Sequence, residues 1–433
     1  MKTTARRLFG ETLAAIDIAA AMTKALARSG TQIRAGDVTI DLRDYREIVA
    51  IALGKAAFAM AQALVGILNS DYAPDGLLAA PVAPPCPLTG WETLVGGHPI
   101  PDEGSFAAGC AILDRLSRCD ERTLIFFLIS GGGSALVEQP LDPALTLGDF
   151  QKLYSVLVSC GASIEQINVI RKHLSATKGG RLAAAAPRSM KLTLAISDVP
   201  PGEESALASG PTLPDPSTTQ DAARIARDFR LLEQFPSRLR TAFEGNALVE
   251  TPKADHPAFA QSRFELLLSS HELLHAAHHA CEAEGYVCVC DSLTDNWPIE
   301  KAANHLIEQL ESQKKANPHR RAAVLADGEV SSPVTGSGSG GRNSAFALAC
   351  VKKIAGKPIT VLSAGTDGID GNSPAAGAVA DGETLARAQA AGLDPDDFIR
   401  RSDAYSFFER LGDAIVTGPT GNNLRDLRIL LMA

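Results

Sequence analysis

The feature that most constrains this chain is an alternation. Short β-rich apolar runs, each followed by a longer helical stretch, recur along its 433 residues. Such alternation belongs to α/β folds with mostly parallel sheets. The predicted strands cover residues 48–53, 123–129, 192–196, 264–268, 286–290, 322–325, 359–362 and 414–416. Several run directly into glycine or polar clusters: Gly54-Lys55, Ser130-Gly131-Gly132-Gly133-Ser134, Ser197-Asp198 and Ser363 to Gly368. Ligands in open α/β sheets bind outside the carboxyl ends of strands, so these loops lie where the architecture puts active sites. A boundary falls near residues 246–262, where the stretch 251–257 is polar and proline-bearing. The expected organisation is two α/β domains, 1–250 and 260–433, with no internal repeat.

Composition excludes several classes of function. The formal net charge of −9 argues against a nucleic-acid partner but leaves room for a small anion held by local cations. Arg6 and Arg7 give a basic start, but Glu11 and Asp17 interrupt the apolar region that a signal peptide needs. Leu13, Ile16, Ile18 and Met22 predict instead one amphipathic helix ending near Gly30. No apolar stretch approaches the ~20 residues of a membrane span. Eight scattered cysteines form no disulfide framework and read as reduced thiols, which points to the cytoplasm.

Three loops are suited to an anion. In Ser130–Leu136, the glycines Gly131, Gly132 and Gly133 between Ser130 and Ser134 expose backbone N–H groups, and a helix follows. In 168–181, Arg171, Lys172, His173, Lys178 and Arg181 crowd into eleven residues, and Gly179-Gly180 permits a close approach. A charge run is ordinarily a solvated face. Among glycine loops in an acidic chain, Arg171 and Lys178 become candidates for phosphate or carboxylate. The third loop, 335–343, carries Gly338, Gly340 and Gly341, then Arg342 and Asn343, and leads into a predicted helix over 345–354. Gly336, Gly338 and Gly341 satisfy the dinucleotide pattern formally, but Pro333 intervenes after the nearest strand. There is no G-x-x-x-x-G-K-[ST] loop. Arg342, at the lip, has the planar fork suited to phosphate or carboxylate. Asp198, Asp367 and Asp370 at strand ends complete the set. ATP chemistry needs one or two carboxylates for Mg²⁺ and sometimes one for the attacking hydroxyl.

His271-Glu272-Leu273-Leu274-His275 matches the H-E-x-x-H zinc signature and follows a natural cap, Ser269-Ser270. It opens its helix directly after a strand, and Glu300 would be an arbitrary third ligand. An amphipathic helix with leucines facing the core accounts for it.

Taken together, the loops resemble the class II glycerate kinases, in which a large N-terminal domain precedes a smaller one called MOFRL. The matching stretches are Gly54 to Ala57, Ser130 to Leu136, Arg171 to Ser175 with Lys178 to Gly180, and Ser197 to Pro200. They continue with Ser209 to Thr212, Gly338 to Asn343, Gly365 to Gly371 and Thr417 to Gly421, in the family's order. The resemblance implies ATP-dependent phosphorylation of D-glycerate, or a close hydroxy acid, to 2-phosphoglycerate in an interdomain cleft. It implies central roles for Lys55 and Arg342. Relatives of this kind often carry the label hydroxypyruvate reductase. The chain departs from the family at Asp327 in place of a glycine, Ala345 in place of a glutamate, Asn422 in place of a threonine, and Asp295 to Pro298 in place of Gly-Glu-Ala-Arg.

On this reading Lys55 and Arg342 neutralise carboxylate and phosphoryl charge. Asp198 and Asp367 hold Mg²⁺ or accept the hydroxyl proton, and backbone amides near Gly132 and Gly340 cradle phosphate oxygens. The partners are D-glycerate and ATP, with no nucleic acid and no membrane, and the protein is a monomer or homodimer. The alternatives are an NAD(P)-dependent hydroxypyruvate reductase, a zinc hydrolase acting through His271 and His275, and a module that binds glycerate or nucleotide without turnover.

Overall fold

The computed structural model describes residues 1–200 and 202–433. It divides into two compact units, Ile18–Leu267 and Met1–Asp17 together with Leu268–Ala433.

In the first unit a small antiparallel sheet is made by β1 (Leu26–Ser29), β2 (Gln32–Ala35) and β3 (Val38–Asp41). The main sheet holds β4 (Glu47–Leu53), β5 (Asp75–Ala80), β6 (Trp91–Val95), β7 (Thr123–Ile129), β8 (Met190–Ile196) and β9 (Ser262–Leu268). Its order is β6-β5-β4-β7-β8-β9, and the β4–β5, β5–β6, β4–β7 and β7–β8 pairs are parallel. Every residue of β7 and β8 is buried, as expected of parallel strands covered on both faces. The chain lays down β4, β5 and β6 toward one edge, then returns to place β7 beside β4 and continues the other way. The carboxyl ends of β4 and β7 therefore flank a topological switch point.

The second unit is a mixed sheet of β10 (Tyr286–Asp291), β11 (Arg321–Ala326), β12 (Ile359–Gly365), β13 (Gly377–Asp381), β14 (Ala414–Ile415) and β15 (Asp426–Met432). The order is β10-β11-β15-β12-β13-β14. Only β10–β11 is a parallel pair, and the other four pairings are antiparallel. The α/β class holds for both units, but parallel pairing dominates only the first. The reason is that β15 returns from the end of the chain to lie between β11 and β12. Its core includes Leu306, Val324, Phe346, Val361, Phe407 and Leu430.

The eight expected strands are all present, with ends shifted by up to three residues. The helix expected over 345–354 is Arg342–Val351. The single N-terminal helix is corrected. The chain forms Lys2–Ala15 and Ile18–Ala25, then enters β1. Ala5, Leu8 and Phe9 of the first helix and Ile18 and Met22 of the second are buried in different units, so no continuous helix can serve both. Arg6 donates to the Ala414 carbonyl and Lys2 pairs with Asp413 at 2.6 Å, tying the first helix to the unit that ends the chain. The expected domain 1–250 places that helix with residues 18–250. No helix among the described residues is long and apolar enough to cross a membrane.

Candidate active site

Three loops leave adjacent carboxyl ends of the parallel sheet. After β4, Gly54 takes φ +113°, and a side chain there would strike Ser130. The Lys55 amide donates to the Gly131 carbonyl at 2.9 Å, and the Ala56 amide donates to Ser130 Oγ at 3.0 Å. The loops after β4 and β7 are thus laced together at the switch point. Gly132 has φ +87°, open to glycine and strained for other residues. A Cβ on Gly132 would sit 3.3 Å from His98 Cδ2 and 3.5 Å from Lys55 Cγ, so Lys55, His98 and Gly132 converge. His98, from the loop after β6, had no motif to announce it. Asp198 follows β8, half-buried, in a turn where Ser197 Oγ accepts from the Val199 amide. Pro201 of that segment lies outside the described residues.

Lys178 and Arg171 are both turned into the interior of the unit. Lys178 is 1% exposed and pairs with the fully buried Glu138 at 2.9 Å, while its ammonium also donates to the Val137 carbonyl at 3.0 Å. Burial lowers the Lys178 pKa, and Glu138 opposes that shift. Glu138 also accepts from Tyr154 Oη at 2.6 Å and from Ser175 Oγ. Arg171 is buried with its guanidinium 4.2 Å from the Tyr154 ring centroid. The helix Ile164–Leu174 turns inward the face expected to meet an anion. Tyr154 Oη, whose one proton goes to Glu138 at the shorter distance, also lies 3.1 Å from the Ser134 carbonyl, so the buried network packs against the glycine loop.

The second unit brings Arg342, Asp426 and Glu329 together. Arg342 Nε and Nη2 face the Asp426 carboxylate at 2.5 and 3.3 Å, and Nη2 lies 2.8 Å from Glu329. Burial opposes the Arg342 charge, but Asp426 and Glu329 outweigh it and raise the pKa. Burial likewise opposes charge on Asp426, where Arg342 prevails and lowers the pKa. The fork expected to grip a ligand is therefore already held by Asp426, a residue without a motif of its own. Asp295, in one of the segments that depart from the family pattern, accepts from the Glu329 amide at 2.7 Å and from Arg425 at 2.6 Å.

The glycine loop before Arg342 is not an open cradle. The Gly338 amide donates to the Arg401 carbonyl, Ser339 to Asp403, Gly340 to Asn372 at 2.8 Å, and Gly341 to Asp370 at 3.1 Å. The Asp370 carboxylate also accepts from the Asn343 and Ser344 amides at 2.9 and 2.8 Å and from Ser344 Oγ. It occupies the helix N-terminus where a phosphate would otherwise dock. Burial raises the Asp370 pKa, and the Ser344 and Asn343 donors oppose it. Asn343 Oδ1 accepts from Ser363 Oγ at 2.6 Å, inside the protein. Asp367 accepts from the Ile369 amide at 3.0 Å in the turn after β12.

His271, His275 and His279 form an exposed stripe along the Ser270–Ala283 helix. Glu272 is used as a cap, accepting from the Ser269 amide and hydroxyl at 2.8 Å. Glu300 pairs with Lys353 at 2.8 Å. Among the described residues no group of three His, Cys, Asp or Glu side chains is arranged to hold a metal.

Comparison with known proteins identifies the family. A family model described as a domain of unknown function, DUF4147, matches residues 4–244, and the MOFRL family model matches residues 322–426. A D-glycerate 2-kinase from Thermotoga maritima is 32% identical over 402 residues, covering 92% of this chain and 94% of that relative. An Agrobacterium vitis relative that carries a hydroxypyruvate reductase name is 35% identical over 394 residues, 89% of this chain and 87% of that relative. The crystal structure of a glycerate kinase from Thermotoga maritima superposes with a TM-score of 0.82 at 29% identity, covering 100% of this chain and 99% of that one. With relatives above 30% identity along nearly the whole length, two family models in the expected order and the same fold, the chain belongs to the class II glycerate kinase family.

Proposed function

We propose that this protein transfers the γ-phosphoryl group of ATP to D-glycerate, giving 2-phosphoglycerate. The observation that carries the reading is the convergence of Lys55 with the Gly131–Ser134 backbone at the switch point of a parallel sheet, in a chain related to glycerate 2-kinases. In the reaction a glycerate hydroxyl attacks the γ-phosphorus in line and the bond to ADP breaks. Lys55 offsets negative charge that spreads over the transferring oxygens, and the side-chain-free backbone at Gly132 allows the phosphates to approach. Arg342, oriented by Asp426 and Glu329, acts as the second cation. Asp198 is the proposed base or Mg²⁺ ligand, with Asp367 the other carboxylate candidate. A Mg²⁺ held by one or two carboxylates would take its remaining oxygen ligands from phosphate and water, and Asp198 and Asp367 are the residues that would hold it. When bound, the ion neutralises phosphate charge. We place the enzyme in the cytoplasm, as a monomer or homodimer, in keeping with its eight free cysteines.

Neither the reductase nor the zinc hydrolase has support. The dinucleotide-like glycines follow no strand and spend their amides internally, and the H-E-x-x-H glutamate is a helix cap. A coupled assay with pure protein tests the reading. ADP release should require D-glycerate and Mg²⁺, and hydroxypyruvate should not oxidise NADH. Robust NADH turnover with background ADP release would overturn it.

A further inference from the structure

A chain of three side chains behind the glycine loop has a direction. Asn168, 3% exposed, donates its amide nitrogen to the Ala206 carbonyl at 3.4 Å, which turns its oxygen toward Ser209. Ser209, fully buried, donates its hydroxyl proton to Asn168 Oδ1 at 2.8 Å. A hydroxyl has one proton and two lone pairs. Ser209 has committed its proton, so in its 2.7 Å contact with Ser134 it can only accept. Ser134 must be the donor there. Ser134 is half-buried on the loop beside Lys55, and with its own proton spent it has only lone pairs left to offer.

The arrangement is held at a conformational cost. Ala208, Ser209 and Gly210 have φ of +49°, +62° and +60°, three left-handed residues in a row of which only the last is glycine. Strained runs of this kind persist where surrounding contacts over-determine them and cluster at functional sites. Here the Gly179 and Gly180 amides donate to the Ser209 and Gly210 carbonyls at 3.0 and 2.7 Å. Ala208 packs so closely on Gly133 that a Cβ on the glycine would lie 3.0 Å from its own.

We infer that Ser134 is a specificity residue that accepts a hydrogen bond from a hydroxyl of the substrate, and that Ser209 and Asn168 are positioning residues that fix this polarity. A carboxylate or phosphate oxygen set against Ser134 would meet lone pair with lone pair, so the loop's serine selects a donor. The inference rests on the kinase reading, under which one hydroxyl of glycerate attacks and the other remains to be recognised.

The test uses the full-length protein, with KM and kcat for D-glycerate and ATP, and inhibition constants for D-lactate and 3-hydroxypropionate, each of which lacks one hydroxyl. Ser134→Ala should raise KM for D-glycerate roughly five- to tenfold with kcat nearly unchanged, the loss expected of one neutral hydrogen bond. One deoxy acid, the one lacking the recognised hydroxyl, should keep its inhibition constant within about twofold. Ser209→Ala, which frees the Ser134 proton to turn outward, should show the same selectivity more weakly, and it serves if Ser134→Ala does not fold. Equal loss for both deoxy acids, no loss for D-glycerate, or a rise in KM for ATP or in the Mg²⁺ requirement instead would overturn the inference while leaving the kinase reading intact. A wild-type protein without glycerate-dependent ADP release would sink the kinase reading and this inference with it.

Discussion

Replacing Lys178 by methionine gives the most direct test of the network under the glycine loop. Methionine preserves most of the aliphatic stem and deletes the ammonium. What remains is the Glu138 carboxylate, fully buried, with Tyr154 and Ser175 as neutral donors and no counter-charge at 2.9 Å. Removing one partner of a buried ion pair costs about 3–5 kcal/mol, because the survivor has lost its water as well as its partner. The Val137 carbonyl also loses its 3.0 Å donor, which places the expected value in the upper half of that range. The double variant Lys178→Met with Glu138→Gln leaves no isolated charge and should recover at least half of the loss. Urea unfolding in a Trp297→Phe background, where Trp91 alone reports on the Ile18–Leu267 unit, measures both. If Lys178 instead met a ligand, the single variant would lose less than about 1 kcal/mol of stability, within the range of surface changes, and the double variant would gain nothing over it. That pattern would refute the buried-network reasoning.

Three further expectations follow from the same geometry. Arg342→Lys should lower kcat/KM by roughly 10²–10³ and also lose about 1–3 kcal/mol of stability, since a lysine cannot reproduce the two-point grip on buried Asp426; kinetics and thermal melts on one preparation measure both, and wild-type values in either would contradict its role. Lys191, 1% exposed and donating to the Ala186 and Ser189 carbonyls at 2.8 Å, has its pKa lowered by burial from 10.5 to about 8. Between those values the unfolded chain holds the extra proton, so this group makes stability rise with pH through that window; the wild type minus Lys191→Met difference in unfolding free energy should climb from pH 8 to 10.5, and a flat difference would count against it. His271→Ala with His275→Ala should leave ADP release unchanged, and metal analysis should find no zinc that protects activity from chelators.

Much of the candidate site was legible in local sequence. Strands such as β4, β7 and β8 are continuous apolar runs, and a glycine cluster directly after such a run is a strand-end loop whatever surrounds it. Lys55 and Ser130–Ser134 could be found for that reason, as could the α/β class. Capping was legible too, in Ser269 followed by Glu272, though its shape imitates a zinc motif. Other features needed the folded chain. The strand β15 carries Arg428, fully buried, whose guanidinium donates to the Asp327 and Gly328 carbonyls at 2.9 and 2.6 Å. A charged residue breaks the apolar pattern of a central strand, and its partners are a hundred residues away. The same strand supplies Asp426 to Arg342, so the sequence showed a free fork where the fold supplies a clamp. The inward turn of Lys178 and Arg171 was hidden for a like reason, since Glu138 and Tyr154 meet them only across the packed unit. Hydrogen-bond direction at Ser134 is the extreme case. It depends on which way the Asn168 amide faces, and that is decided by one carbonyl, Ala206, brought close by the fold. Periodicity and turn chemistry are local and can be read along the chain, whereas the partner of a buried charge or hydroxyl is chosen by packing.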